Sequence, residues 1–246
     1  MIAGIPAYVE ESGSGPVVWY LHGATEWIGY AEEFTGLLAS RFRVIQAERR
    51  GHGRTPDVPG ALTYEAMTAD TVSLMEHFDY GPASVVGFSD GGIIALLLAI
   101  ARPDLVDRVV SIGPNAQVEG LTDEALAWLA GVTPETWPRE YSDAYRQLSP
   151  DGPDHWPIVC RKVTEMMLCE PNIAADDLAR ITAPTLLIGG DRDVVRIEHF
   201  LEMYQAIPGS QLCILPGAPH EIPTEEPQRA FELTARFLEN KPGASR

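Results

Sequence analysis

One stretch constrains this chain more than any other. The apolar run Ala83–Gly87 leads into Gly87-Phe88-Ser89-Asp90-Gly91-Gly92, which opens Asp90–Ala101, the most apolar helical pattern in the sequence. A G-x-S-x-G string alone says little, because glycine and serine are common; between a strand and a helix it describes a sharp turn. The serine backbone on such a turn is strained, and glycines two residues before and two after let strand and helix pack closely. The hydroxyl then projects from the edge of a sheet, with helix N–H groups and the positive end of the helix dipole behind it. A serine that merely caps the helix is the competing reading. The strand on one side and the helix on the other favour a nucleophile at Ser89.

The rest of the chain has the same rhythm. Val17–Leu21, Phe42–Gln46, Ala83–Gly87, Val106–Ile112, Thr185–Gly189 and Gln211–Leu215 read as strands, several buried on both faces, and Ala3–Glu10 as an antiparallel edge strand. Helical patterns lie between them at Ala31–Ser40, Tyr64–Phe78, Asp90–Ala101, Glu198–Ile207 and Glu225–Glu239. This alternation predicts an α/β protein with a mostly parallel, doubly wound sheet, whose strand C-terminal ends form one ligand-binding edge. From about Asn115 to Ile181 no strand pattern occurs. There Trp156, Val159, Cys160, Val163, Met166 and Met167 mark one apolar helix face. The division expected is a core over residues 1–114, a helical cap over 115–181 inserted after the sixth strand, the second part of the core over 182–240, and a tail over 241–246. Extra helices on the rim are the alternative to a cap.

Composition narrows the function classes. With 18 Lys and Arg against 35 Asp and Glu, the net charge is −17, a surface that repels phosphate backbones and anionic lipid. No nucleic-acid or membrane partner is expected. Cys160, Cys169 and Cys213 have no metal-ligand spacing and fit reduced structural thiols. The opening MIAGIPAYVEE lacks the pattern of a signal peptide, and the run Gly91–Ala101 is too short to span a bilayer, so the expected location is cytoplasmic.

A serine nucleophile needs a base, and the base needs an orienting acid. Of six histidines, His220 in Gly217-Ala218-Pro219-His220-Glu221 follows the last strand, on the ligand edge. His77 and His199 fall within helical patterns, His155 within the insertion, and His22 and His52 in glycine-flanked loops. The acid should follow the preceding strand, where Gly190-Asp191-Arg192-Asp193 offers two carboxylates. Asp193, deeper in the loop, is preferred to Asp191, which can pair with Arg192 or cap the turn. Two backbone N–H groups, of Ala24 after His22-Gly23 and of Asp90 after the serine, would form an oxyanion hole.

With these pieces in order, the chain resembles the α/β-hydrolase superfamily across nearly its whole length. The matching segments are His22-Gly23, Arg50-Gly51-His52-Gly53-Arg54-Thr55, Gly87-Phe88-Ser89-Asp90-Gly91-Gly92, Gly190-Asp191-Arg192-Asp193 and Gly217-Ala218-Pro219-His220. The Ser-Asp-Gly-Gly turn is similar to that of the small serine esterases near valacyclovir hydrolase and of the cofactor-free haloperoxidases. The resemblance implies an α/β-hydrolase fold, a triad of Ser89, Asp193 and His220, oxyanion donors at Ala24 and Asp90, and no metal or organic cofactor. It also implies an architectural role for Arg50 and His52. Glu48 departs from the pattern, standing where many members have Asp, and the first edge strands look abbreviated.

The activity expected is hydrolysis of small to medium carboxylic esters through an acyl-enzyme on Ser89. Three others stay open: cofactor-free haloperoxidase or perhydrolase action, amide or C–C bond hydrolysis, and, from a different class, a non-catalytic ligand-binding receptor. Trp27, Trp128, Trp137, Trp156, Met166 and Met167 are candidates to wall the pocket, with ordinary cap core as the alternative. Asp90 and Glu26 are open to recognition of a substrate amine, against a plain helix-dipole role for Asp90. Acyl length, stereopreference and homo-oligomer formation are not legible.

Overall fold

In the computed structural model, residue 4 and residues 6–240 are described; the tail expected over 241–246 lies outside them. The chain enters the sheet through β1 (Val9–Gly13) and β2 (Val17–Leu21), and crosses by α1 (Glu32–Ala39) to β3 (Arg43–Ala47). It then returns through α2 (Tyr64–Phe78) to β4 (Ala83–Phe88), α3 (Asp90–Ala101) and β5 (Val106–Ile112). A helical segment follows, with α4 (Asp123–Gly131), α5 (Arg139–Leu148), α6 (Trp156–Cys169) and α7 (Ala175–Leu178). The chain closes with β6 (Thr185–Arg192), α8 (Ile197–Ala206), β7 (Gln211–Pro219), α9 (Ile222–Glu225) and α10 (Pro227–Glu239). The sheet order is β1-β3-β2-β4-β5-β6-β7, antiparallel only between β1 and β3.

Successive residues of a strand face opposite sides of a sheet, and here both sides are covered. Trp19, Leu21, Val85, Val109 and Leu187 pack with α2, α3, α8 and the helical segment. Val18, Tyr20, Val86, Val110 and Ile188 pack on the other side with Phe34 of α1, Ile222 of α9 and Phe231 of α10. That is why these strands read as continuous apolar runs. The edge strand differs: β1 is almost wholly exposed and pairs Val9–Gly13 with Ala47–Arg43, so it lies later than the expected Ala3–Glu10, of which Ala3 and Ile5 lie outside the described residues. With one described strand before β2, the helical insertion follows the fifth strand rather than the sixth. The last helical pattern divides into α9 and α10, with Pro227 at the start of the second.

Within the insertion, Trp156, Val159, Cys160, Val163 and Met166 are buried, as the spacing predicts. The segment is fastened to the core by polar contacts. Asp57, in the loop before α2, accepts hydrogen bonds from Lys162 Nζ at 2.6 Å and pairs with His155 Nε2 at 2.9 Å. The hydroxyls of Tyr30 and Tyr141 meet at 2.6 Å. No helix among the described residues is long and apolar enough to cross a membrane.

Parallel register carries the strand ends to one edge. Leu21 pairs with Gly87, Phe88 with Ile112, Ile112 with Ile188 and Arg192 with Pro219, so the loops after β2, β4, β6 and β7 emerge side by side. The first turn of α3 presses against the end of β2: a Cβ on Gly91 would stand 2.0 Å from Leu21 O. Gly91→Ala is therefore expected to cost about 3 kcal/mol, the upper part of the overpacking range, because the obstacle is backbone. Urea denaturation checks this, and an unchanged midpoint would refute it.

Candidate active site

Ser89 joins β4 to α3 with φ 51° and ψ −119°, a left-handed conformation that non-glycine residues rarely adopt. Its N–H is tied to Ile112 O at 2.8 Å, and a Cβ on Gly87 would lie 2.1 Å from Gly91 O, so the turn tolerates no side chain there. The hydroxyl is half-buried at the head of the helix.

His220, immediately after β7, reaches this hydroxyl: its Nε2 lies 3.0 Å from Ser89 Oγ. Its Nδ1 lies 2.6 Å from Asp193 Oδ1. A carboxylate only accepts, so in the neutral imidazole Nδ1 carries the proton and Nε2 accepts from the serine hydroxyl. The Asp193 side chain is fully buried and accepts further bonds from Val195 N–H at 3.1 Å and Gly190 N–H at 3.3 Å. Asp191, the other carboxylate considered, points elsewhere and accepts Gly217 N–H at 2.6 Å, joining the loop ends of β6 and β7.

The electrostatics follow from this order. Burial raises the Asp193 pKa, but the charge and hydrogen bond of His220 and the two N–H donors outweigh it, holding the carboxyl below its ordinary range. Burial lowers the His220 pKa; Asp193, then Glu221 and Asp90, more than offset it, so the imidazole holds its proton to a higher pH than a free histidine. The ring packs on Phe88, centroids 5.1 Å apart, and over Gly113, where a Cβ would stand 2.9 Å from Cε1. Gly113 was not singled out by the sequence; its signal is a glycine directly ending β5.

The other histidines are engaged differently. His22 Nε2 accepts Arg49 N–H at 3.3 Å and its Nδ1 meets Gly23 O at 2.8 Å; burial, then Arg49 and His52, push its pKa well down. His52 is pushed down to about 3 by burial and Arg49, and its Nδ1 meets Arg50 O at 2.9 Å. His155 pairs with Asp57, and His199 Nε2 accepts Ala116 N–H at 2.9 Å. His77 packs edge-on against Phe78.

Ser89, Asp90, Ala24 and His220 line a cavity of about 700 Å³ between the strand ends and the helical segment. Asp90 N–H belongs to the first turn of α3, which has no intrahelical acceptors. Of the predicted wall residues, Trp128, Trp137 and Met167 face this cavity. Trp156 and Met166 instead fill the core of the insertion, and Trp27 packs edge-on against Tyr30 and Tyr141. No group of three or more His, Cys, Asp or Glu side chains among the described residues is placed to hold a metal ion.

Three further carboxylates line the cavity, Asp90 and Glu26 buried and Glu221 half-buried. Asp90 accepts Tyr64 OH at 2.7 Å and has Arg49 Nη2 4.0 Å away; burial raises its pKa, while Arg49 and Tyr64 oppose that. Glu26 accepts Gly23 N–H at 2.6 Å and is raised well above its ordinary value, by burial first and Glu221 second. Glu221 is raised by burial and has one oxygen, Oε2, without a protein partner. Asp90 thus has a hydrogen-bond donor on Oδ1 and a countercharge inside the protein, while its Oδ2 accepts no hydrogen bond among the described residues. Sequence reasoning missed Arg49: it assigned the structural role to the adjacent Arg50, which instead forms a two-pronged pair with Asp70 of α2 at 2.6 and 2.7 Å. Glu48, in the place of the usual Asp, is buried and holds two loops together by accepting Ile28 N–H at 3.0 Å and Arg54 Nη1 at 2.6 Å.

Several known proteins resemble the chain over most of its length. The chain is 29% identical to the mouse (Mus musculus) sn-1-specific diacylglycerol lipase ABHD11, over 91% of this chain and 81% of that one. It is 26% identical to the human (Homo sapiens) serine hydrolase BPHL, over 97% of this chain and 84% of that one. A putative non-heme chloroperoxidase of Synechocystis sp. is also 26% identical, over 96% of both chains. Among solved structures, a serine hydrolase involved in carbazole degradation superposes with a TM-score of 0.80 at 22% identity, covering 96% of both chains. An enol-lactonase from Burkholderia xenovorans LB400 superposes with a TM-score of 0.76 at 21% identity, covering 97% of this chain and 98% of that one; at such identities these two superpositions speak to the fold alone. The profile of the alpha/beta hydrolase family matches residues 19–233, and the chain belongs to that family.

Proposed function

We propose that this chain is a serine hydrolase that cleaves carboxylic esters through an acyl-enzyme on Ser89. The observation that carries the reading is the continuous hydrogen-bonded series Asp193–His220–Ser89 opening onto an apolar-walled cavity. A serine hydroxyl is a weak nucleophile, and a neutral imidazole at its oxygen removes the proton as attack proceeds. Asp193 fixes the tautomer and stabilises the imidazolium that forms. The carbonyl oxygen gains negative charge next to the Ala24 and Asp90 N–H groups; two such donors are each worth about 10²–10³ in rate. His220 then protonates the departing alcohol, and water resolves the acyl-enzyme by the reverse route.

The chloroperoxidase relative supports a second reading on the same residues. Hydrogen peroxide in place of water would attack the acyl-enzyme, releasing a peracid and restoring the Ser89 hydroxyl. Halide oxidation in acetate and peroxide, set beside ester hydrolysis, separates the two.

Three outcomes are expected. Ser89→Ala should lose p-nitrophenyl ester turnover by about 10⁴-fold or more while remaining folded; activity surviving in the folded variant would displace the site, and the acetate-to-octanoate profile of the wild type would measure the cavity. Because the neutral imidazole is the base, kcat/KM should fall as the pH drops through the His220 pKa, at a higher pH than for a free histidine, and Glu221→Gln should move that limb to lower pH by removing a nearby negative charge. A limb that stays put in the variant would dissociate Glu221 from the base. Finally, Glu26, Asp90 and Glu221 line the cavity, and its one Arg or Lys among the described residues, Arg192, is exposed to solvent, so a hemisuccinate ester should be hydrolysed less efficiently than the butyrate ester of the same alcohol; equal kcat/KM values would contradict this.

A further inference from the structure

Arg49 is a buried guanidinium, 6% exposed, behind the candidate site rather than in its cavity. It lies just beyond β3, yet its contacts are with two other segments. Nη1 donates to His22 O, and Nη2 donates to Gly23 O at 2.8 Å. Its backbone N–H donates to His22 Nε2. Nη2 also faces the Asp90 carboxylate at 4.0 Å, whose other oxygen is held by Tyr64. On the far side of Gly23, the Glu26 carboxylate takes the Gly23 N–H.

These contacts constrain a direction. In a trans peptide the C=O and the following N–H lie in one plane and point opposite ways. Fixing Gly23 O on Arg49 therefore aims Ala24 N–H away from Arg49. Ala24 lines the cavity, and no acceptor for its N–H occurs among the described residues. The same guanidinium faces the side chain of Asp90, whose own N–H opens α3 beside Ser89. The guanidinium thus hydrogen-bonds one of the two donor-bearing segments and faces the other across an ion-pair contact of 4.0 Å.

We propose that Arg49 is a positioning residue for acyl transfer: it locks the loop after β2 against the first turn of α3, so that Ala24 N–H and Asp90 N–H converge on the oxygen that becomes negative when Ser89 attacks. This rests on the Ser89 reading above. Two consecutive carbonyls and a carboxylate suit a rigid guanidinium with five donors, whereas a lysine ammonium is a point charge without that geometry. A misdirection of about 1 Å at a reacting centre costs about 10²-fold in rate.

The test uses Arg49→Lys, Arg49→Gln and Arg49→Met in the full chain, with Tm as the check on folding. Three quantities are measured: kcat and KM on p-nitrophenyl butyrate, the inhibition constant of an alkyl trifluoromethyl ketone that forms an oxyanion adduct with serine, and the pH profile. Folded variants are expected to lose about 10²-fold in kcat with KM within about threefold, and to bind the ketone more weakly in proportion to the loss in kcat/KM. The acid limb should stay in place in Arg49→Lys, which keeps a positive charge beside Asp90, one of the groups that set the His220 pKa. Wild-type kcat in a folded variant, a loss confined to KM, or a loss in kcat with unchanged ketone affinity would each overturn the proposal. Failure of all three variants to fold would also overturn it, leaving Arg49 a residue of the fold. If the wild type neither hydrolyses esters nor forms the ketone adduct, the Ser89 reading itself fails; if it does both and the variants match it, only the role of Arg49 fails.

Discussion

The site depends on a strand becoming a helix with no spacer between them. At Ser89 the backbone turns through a left-handed conformation, which costs a non-glycine residue about 1–3 kcal/mol. That strain persists because α3 cannot move away. Ile93, Ile94, Leu96 and Leu98 are almost completely buried between the sheet and α2, and full burial of one such side chain contributes about 1.5–3 kcal/mol. Four of them outweigh the turn several-fold. The unusual apolarity of the helix and the strained serine are two sides of one arrangement, and Gly87 and Gly91 remove the side chains that would separate strand from helix.

Parallel pairing extends this local constraint across the sheet. Once Ser89 is fixed at the end of β4, register alone brings the ends of β2, β6 and β7 alongside it. The polar groups gathered there lie in a chain of strongly negative net charge, and the fold meets each by a different route. Asp193 is stabilised by an imidazole and two N–H groups, so it stays ionised despite complete burial. Glu48 is answered by Arg54 and backbone donors. Arg49 has two carbonyls and a carboxylate, and next to it His22 and His52 are kept neutral, since a second cation there would be costly.

Much of this was legible from residue order. Strands covered on both faces appear as unbroken apolar runs, and α2 and α3 run over the spans that their periodicity indicates, because few other conformations bury those patterns. The Ser89, Asp193 and His220 positions follow from short motifs placed after strands, and the structure brings these three side chains together. What was not legible involves either exposure or contact at a distance. The edge strand β1 buries little, so no pattern locates it. Pro227 divides a helical pattern that periodicity alone runs together. Arg49 and Arg50 are indistinguishable in sequence, since their partners, the His22–Gly23 carbonyls and Asp70, lie 20 or more residues away in opposite directions. Trp156 and Trp128 are equally aromatic; only packing decides that one fills the insertion and the other faces the cavity.

These two kinds of information map onto two parts of the site. The groups that would perform chemistry sit on loops whose paths are fixed by backbone contacts: Gly91 against β2, Gly113 beneath His220, and the Gly190 and Val195 N–H groups on Asp193. Such contacts demand particular residue types at particular spacings, which is why motifs record them. The apolar cavity walls come largely from side chains of the helical insertion, including Trp128, Leu129, Trp137 and Met167, where any well-packed apolar set of similar volume would serve. The insertion meets the core through apolar packing and through polar fastenings such as Asp57 with Lys162 and Tyr30 with Tyr141, the latter at the cavity wall. Wall residues can therefore change without disturbing the turn at Ser89, whereas a change at Gly91 or Arg49 cannot leave that turn and its neighbouring loop in place. Reaction class is held by the rigid half of the site, and substrate selection is left to the half whose sequence is physically least constrained.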